Sequence, residues 1–109
     1  LSDSVHQVIN DVFLSIPMQY SLGNSYPNPF NPSTTIPYEL IKPGYVKIVI
    51  FDLLGNEVKE LVNSLKDMGK YSVVWDGTSQ SGSQISSGVY FIMMQTDNFL
   101  AKKKTVLIK

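Results

Sequence analysis

The stretch that decides the fold class is Tyr45-Val46-Lys47-Ile48-Val49-Ile50-Phe51-Asp52. Side chains alternate between the two faces of a β-strand, so Val46, Ile48 and Ile50 share one face and predict a deeply buried one. The turn Asp52-Leu53-Leu54-Gly55-Asn56 follows directly, and Gly55 can take the positive φ that a tight reversal requires. The pattern therefore predicts a buried strand whose chain reverses into a neighbouring strand.

Similar short segments, separated by turn residues, lie on both sides of this strand. Residues 57–62 are more polar, with Val58 and Val62 on one face and Leu61 on the other, which predicts a bulge or an edge position in a sheet. No segment of helix length interrupts the pattern, which argues against parallel βαβ units. The sequence therefore predicts an all-β fold, an antiparallel β-sandwich of about seven strands. The remaining predicted strands are 34–40, 70–76, 89–96 and 99–108.

An unusual loop precedes the strands and reads Tyr26-Pro27-Asn28-Pro29-Phe30-Asn31-Pro32-Ser33. Each proline fixes φ and lacks a backbone donor, and asparagine side chains can hydrogen-bond backbone groups that proline leaves unpaired. These residues predict a stiff, ordered loop with Phe30 and Tyr26 packed onto the core.

Composition limits the classes of function. The 109 residues suffice for one domain, and 43% hydrophobic with 17% charged residues is typical of a folded chain. The formal net charge is zero and all nine basic residues are lysine, which argues against nucleic-acid binding and against binding to an anionic membrane. Cysteine is absent, so disulfides and thiolate sites are excluded. No signal peptide is recognisable, so an exported protein would carry its signal upstream of residue 1.

Residues 1–19 differ in composition from the rest and are interpreted as a linker or the tail of a preceding domain, with the sandwich domain at 20–109. Apolar residues at helical spacing also allow a short amphipathic helix there, although a lone helix of this length is marginal in water. These residues are Val5, Val8, Ile9, Val12, Phe13 and Ile16.

Candidate catalytic and metal-binding groups are few, and no cofactor is expected. The only histidine, His6, lies in the terminal segment, which argues against a serine–histidine–acid site and against zinc. Asp52, Asp76 and Asp97 all stand at turns and could converge at one end of a sandwich to bind calcium. Aspartate at a turn also accepts backbone N–H bonds locally, and this second interpretation is favoured.

Trp75 and the lysines near the carboxy terminus each allow two interpretations. Trp75 is in phase with Tyr71 and Val73 on an alternating strand, which favours the sandwich core over a sugar-stacking platform. Lys102 and Lys104 would share one face of a strand and Lys103 the other. These lysines, with Lys109, either protect an edge strand against pairing or are a candidate receptor contact.

Five blocks of the sequence, taken in order, resemble the type A carboxy-terminal sorting domain of the type IX secretion system. The resemblance runs from about Tyr20 to the last residue. The blocks are Tyr20-x-Leu22 with Tyr26-Pro27-Asn28-Pro29-Phe30-Asn31-Pro32-Ser33-Thr34-Thr35-Ile36, Phe51-Asp52-Leu53-Leu54-Gly55-x-x-Val58, Gly69-x-x-x-Val73-x-Trp75-Asp76-Gly77, Ser87-Gly88-Val89-Tyr90-Phe91 and Lys104-Thr105-Val106-Leu107-Ile108-Lys109. The chain departs from the family pattern at Ser25, Phe51, Ile92 and Met94.

The resemblance implies an immunoglobulin-like sandwich that performs no catalysis itself. It implies a covalently linked amino-terminal cargo domain and export across the outer membrane by the type IX translocon. After export the module is either cleaved off or used by the associated sortase machinery to attach the cargo to the cell surface. The expected location is therefore secreted, at the exterior of the outer membrane. Pairing of the carboxy-terminal strand with a receptor is one mechanism by which such a module could be read.

Two alternatives stay open. The immunoglobulin-like domain of flagellar hook-capping proteins, a structural assembly part, resembles the same Asp-x-x-Gly and Trp-Asp-Gly turns. A carbohydrate-binding accessory module would need exposed aromatic residues in a row on one sheet face.

Overall fold

A computed structural model describes residues 19–109. The predictions for residues 1–18, including the short helix and the position of His6, lie outside the described residues. The seven strands are β1 (Ser21–Leu22), β2 (Thr34–Leu40), β3 (Gly44–Phe51), β4 (Glu57–Lys66), β5 (Gly69–Trp75), β6 (Gly88–Gln95) and β7 (Leu100–Leu107).

The strands form two antiparallel sheets that pack face to face. The three-stranded sheet has the order β1-β2-β5, and the four-stranded sheet has the order β4-β3-β6-β7. The predicted all-β antiparallel sandwich of seven strands is therefore confirmed. Residues 19–109 contain no helix that is long and apolar enough to span a bilayer.

The core lies between the inner faces of the two sheets. The three apolar side chains of β3 that the alternation placed on one face are all fully buried. They pack with Ile92 and Met94 of β6 and, from the other sheet, with Ile36 and Trp75. Burying one such side chain stabilises a fold by about 1.5–3 kcal/mol, so this layer is the main source of stability. The buried β3 residues are Val46, Ile48 and Ile50.

Strand β4 confirms both features that its sequence predicted, since it is an edge strand and it bulges twice. Ile48 pairs with Val62 and Val49 pairs with Glu60, which leaves Leu61 as an extra residue, and a second register shift follows before Phe51. The strand is longer than the predicted 57–62, because its pairing with β3 continues past the apolar pattern to Lys66.

Strand β1 was not predicted, because two residues are too short to show an alternating pattern. Ser21 pairs with Glu39 and Leu22 with Tyr38, so β1 forms one edge of the three-stranded sheet. Leu22 is buried and joins the core.

Candidate interaction surface

The loop of residues 26–33 is held against the outer edge of β7. The side-chain amide of Asn28 is both a donor and an acceptor of hydrogen bonds to the β7 backbone. Its Nδ2 donates to Lys104 O at 3.2 Å, and its Oδ1 accepts from Val106 N at 3.0 Å. The backbone of Phe30 adds two further hydrogen bonds to β7 and the residue after it. Its N–H donates to Val106 O at 2.9 Å, and its carbonyl accepts from Ile108 N at 3.0 Å. The loop therefore occupies the backbone groups that would otherwise be free along the carboxy-terminal half of β7.

The ring of Phe30 anchors the loop in the core, as predicted. It is 1% exposed and lies 5.2 Å from the Trp75 ring, centroid to centroid. The prediction for Tyr26 was wrong, because this side chain is 57% exposed. The backbone of Tyr26 pairs with Thr35, and the alternation along this segment directs Ser25 inward instead. The Ser25 hydroxyl donates to Thr105 Oγ1 at 3.0 Å in the interior.

The turn after β5 supports the loop from below. Gly77 has a φ of +74°, and a Cβ at this position would lie 3.0 Å from the carbonyl oxygen of Pro32, so the two backbones approach closely. Trp75 is fully buried and its Nε1 donates to Thr78 O at 3.0 Å. The core interpretation of Trp75 is confirmed, so this ring offers no platform for a sugar.

The three turn aspartates do not converge. Phe51 pairs with Phe91, whereas Lys47 pairs with Gln95, so Asp52 after β3 and Asp97 after β6 stand at opposite ends of the sheet. In the described part of the chain, no group of three or more histidine, cysteine, aspartate or glutamate residues could hold a metal ion.

Two of these aspartates have local hydrogen bonds that stabilise their ionised forms. Bonds from the Asn56 backbone N–H, and then from its side chain and the Leu54 N–H, hold the pKa of Asp52 below its usual value. The Thr78 hydroxyl, with the ammonium of Lys59 also contributing, lowers the pKa of Asp76. Gly55 adopts the predicted positive φ, at +85°.

The Ser87-Gly88-x-Tyr90 block contacts both the carboxy terminus and the core. Ser87 Oγ accepts from Lys109 N at 2.9 Å, and the Tyr90 hydroxyl donates to Ser86 O at 2.6 Å. The Tyr90 ring stands edge-on to Trp75 at 5.4 Å. Gly88 begins β6 and pairs with Leu107, so this block aligns the last strand.

The four lysines do not form one patch. Lys102 and Lys104 are exposed on the outer face of the four-stranded sheet, as the alternation predicted, and Lys103 is half-buried on the opposite face beside Ile92. An inward-pointing charge on an edge strand discourages edge-to-edge pairing. The Lys109 ammonium is bound to Gln84 Oε1 at 3.1 Å, away from the other three.

On the outer face of the four-stranded sheet, Lys102 and Lys104 lie beside a group of apolar side chains. Phe51, Phe91 and Met93 are half-buried on it, and Leu53 is 67% exposed at its border. Glu57 and Glu60 of β4 lie on the same face at the far edge, opposite Phe51 and Val49. The sequence pattern does not place these glutamates, because only the bulged register of β4 shows which face they occupy.

Comparisons with known proteins agree with this fold. A protein-family model described as the FlgD Ig-like domain matches residues 38–98, more than half of the chain. The hook-capping protein FlgD from Xanthomonas campestris is 27% identical, with a TM-score of 0.54 over 92% of this chain and 73% of that protein. A comparison with curated proteins found no match.

Two similar structures come from Porphyromonas gingivalis. PorU is 22% identical, with a TM-score of 0.65 over 80% of this chain and 9% of PorU. PorZ, described as an essential bacterial surface component of the type-IX secretion system, is 19% identical, with a TM-score of 0.56 over 82% of this chain and 12% of PorZ. The chain thus spans about a tenth of the length of these two proteins, and at such identities the likeness shows the fold alone. The family model described as the FlgD Ig-like domain, in contrast, matches more than half of this chain. The chain therefore belongs to the FlgD Ig-like domain family.

Proposed function

We propose that residues 20–109 form a non-catalytic sorting module that directs an amino-terminal cargo domain through the type IX secretion system to the cell surface. The observation that carries this proposal is the attachment of the loop 26–33 to β7. The residues that most resemble the sorting-domain signature are those that close the edge of the last strand. The loop and β7 both lie outside residues 38–98, so the family match does not account for them.

Lys102 and Lys104 are the side chains through which we propose that the translocon and sortase machinery contact the module. Both are exposed, and within residues 19–109 neither belongs to a salt bridge. Strand pairing is a poor alternative mechanism from Lys104 to Ile108, because the loop already occupies those backbone groups. An acidic receptor surface that binds side chains therefore fits better than an added strand.

The test is surface delivery of a fluorescent reporter fused, behind a signal peptide, to residues 1–109 in a bacterium with an intact type IX system. Deleting 102–109 would be uninformative, since Leu107 is 2% exposed and its removal would open the core. We expect wild type to reach the surface and Lys102→Glu with Lys104→Glu to be retained in the periplasm. Glu57→Lys with Glu60→Lys is the matched control on the opposite edge and should be delivered. Delivery of the lysine variant, or delivery in a strain without the translocon, would contradict the proposal.

A second candidate function is structural assembly, and the family match favours it. The structure of FlgD from X. campestris is described as giving insight into the hook capping essential for flagellar assembly, and this chain covers 73% of that chain. Periplasmic retention of every fusion, including wild type, would favour assembly over sorting.

A further inference from the structure

The outer face of the four-stranded sheet is organised in cross-strand rows. In one row Val49 pairs with Met93, which pairs with Lys102. In the next row Phe51 pairs with Phe91, which pairs with Lys104. The two rows continue onto β4 with Glu60 and Glu57 respectively. Each row therefore runs from a glutamate through two apolar side chains to a lysine. Of these apolar side chains, Phe51, Phe91 and Met93 are partly exposed, whereas Val49 is fully buried beneath its neighbours.

Charges of opposite sign thus line the two edges of one apolar surface. The lysine edge has no intramolecular partner, since the salt bridges within residues 19–109 are Lys47–Glu60 at 3.9 Å and Lys59–Asp76 at 3.4 Å. The glutamate edge is partly neutralised by Lys47, whose Nζ reaches Glu60 over this face. An occupant that matches the whole surface needs an apolar centre, an acidic edge and a basic edge in the reverse order.

We propose that this occupant is a second copy of the same chain, bound face to face about a two-fold axis parallel to the strands. Rotation about such an axis exchanges left and right and keeps the rows level. Glu60 of each copy then faces Lys102 of the other, and Glu57 faces Lys104. A two-fold axis across the strands would instead place glutamate against glutamate, so charge selects a single arrangement. Two sheets stacked in this way have the aligned packing of ordinary sandwiches.

The area of the surface predicts a weak dimer. Four strands about 4.8 Å apart and four rows about 7 Å apart give about 500 Å² per copy. The total of about 1,000 Å² is at the lower limit for a specific interface, where complexes tend to be weak and transient, so we expect a dissociation constant on the order of 100 µM. The dimer would therefore form at high local density, as on a crowded surface, and not in dilute solution.

The experiment is sedimentation equilibrium of purified residues 1–109 from about 10 µM to 1 mM, a range that brackets the expected constant. Wild type should pass from monomer to dimer. Lys102→Glu with Lys104→Glu makes both edges acidic, and Glu57→Lys with Glu60→Lys makes both basic, so each variant alone should lose affinity at least about tenfold. An equimolar mixture of the two variants should recover a dimer, because every edge then meets its opposite.

Several outcomes would overturn the proposal. A wild-type monomer at every concentration would mean that the face is bare or is covered by residues 1–18 of the same chain. A dimer that tolerates both charge reversals would use another surface, and two monomeric variants that fail to associate when mixed would exclude the face-to-face arrangement. If circular dichroism shows that a variant does not fold, the interface is tested on wild type alone. The measurement is then the concentration dependence of the NMR chemical shifts of its backbone amides. They should centre on Phe91 and Met93, and shifts confined elsewhere would refute the inference.

The inference does not rest on the sorting function. The glutamate variant should remain competent for export while losing self-association, and the lysine variant should lose both. Failure of dimerisation therefore leaves the export result unaffected.

Discussion

Replacing Asn28 with alanine should loosen the carboxy-terminal strand. The substitution removes two hydrogen bonds, at 3.2 Å to Lys104 O and 3.0 Å from Val106 N. A hydrogen bond contributes about 0.5–1.5 kcal/mol net, and the bonds of Asn28 are exposed, so water can replace part of each. We therefore expect a loss of about 1–2 kcal/mol in the free energy of unfolding.

Urea denaturation followed by the fluorescence of the buried Trp75 measures this loss. With a slope of about 1 kcal/mol per molar urea for a small domain, the midpoint should fall by about 1–2 M. Hydrogen exchange at the Val106 amide gives a local measure, because this N–H loses its acceptor in the variant. Its exchange should accelerate more than that of amides in β3.

Asn31→Ala is the matched control, since it is the same change in the same loop and this side chain makes no hydrogen bond among the described residues. Its midpoint should shift by less than about 0.5 M, as for an ordinary surface substitution. Equal shifts for the two variants, or an unchanged Val106 exchange rate in Asn28→Ala, would refute the reasoning that Asn28 closes the edge of β7.

Three further predictions concern stability. Phe30→Ala should cost about 3–5 kcal/mol, because the ring is 1% exposed, and calorimetry of the variant checks this; a cost under 1 kcal/mol would show that the ring does not anchor the loop. Gly77→Ala should lower the thermal midpoint more than Gly82→Ala, since both have positive φ but only at Gly77 would a Cβ meet backbone, at 3.0 Å; equal losses would contradict this. The pKa values of Asp52 and Asp76 are lowered in the folded state, so these carboxylates stabilise the fold fully above the unfolded pKa of about 4 and lose this effect as pH falls through the folded values. Between pH 7 and pH 2, thermal midpoints should therefore fall less in Asp52→Asn and Asp76→Asn than in wild type.

Local patterns in the sequence determined six of the seven strands and the turn at Gly55. The alternation of Val46, Ile48 and Ile50, the positive φ at Gly55, the burial of Trp75 and the bulged edge strand β4 were all predicted from residues close in the chain. These features were predictable because strand periodicity and turn chemistry are properties of a few consecutive residues.

Tertiary structure alone decided what meets across the fold. The side chain of Asn28 forms hydrogen bonds with Lys104 and Val106, which are 76 and 78 positions further along the chain. No local sequence pattern predicts partners at such a distance. The outward position of Tyr26, the separation of Asp97 from Asp52 and the glutamate edge opposite Lys102 likewise depend on which strands pair and in which register. Register is set by packing of the whole sandwich, so the surfaces proposed for recognition and self-association could be read only after the sheets were assembled.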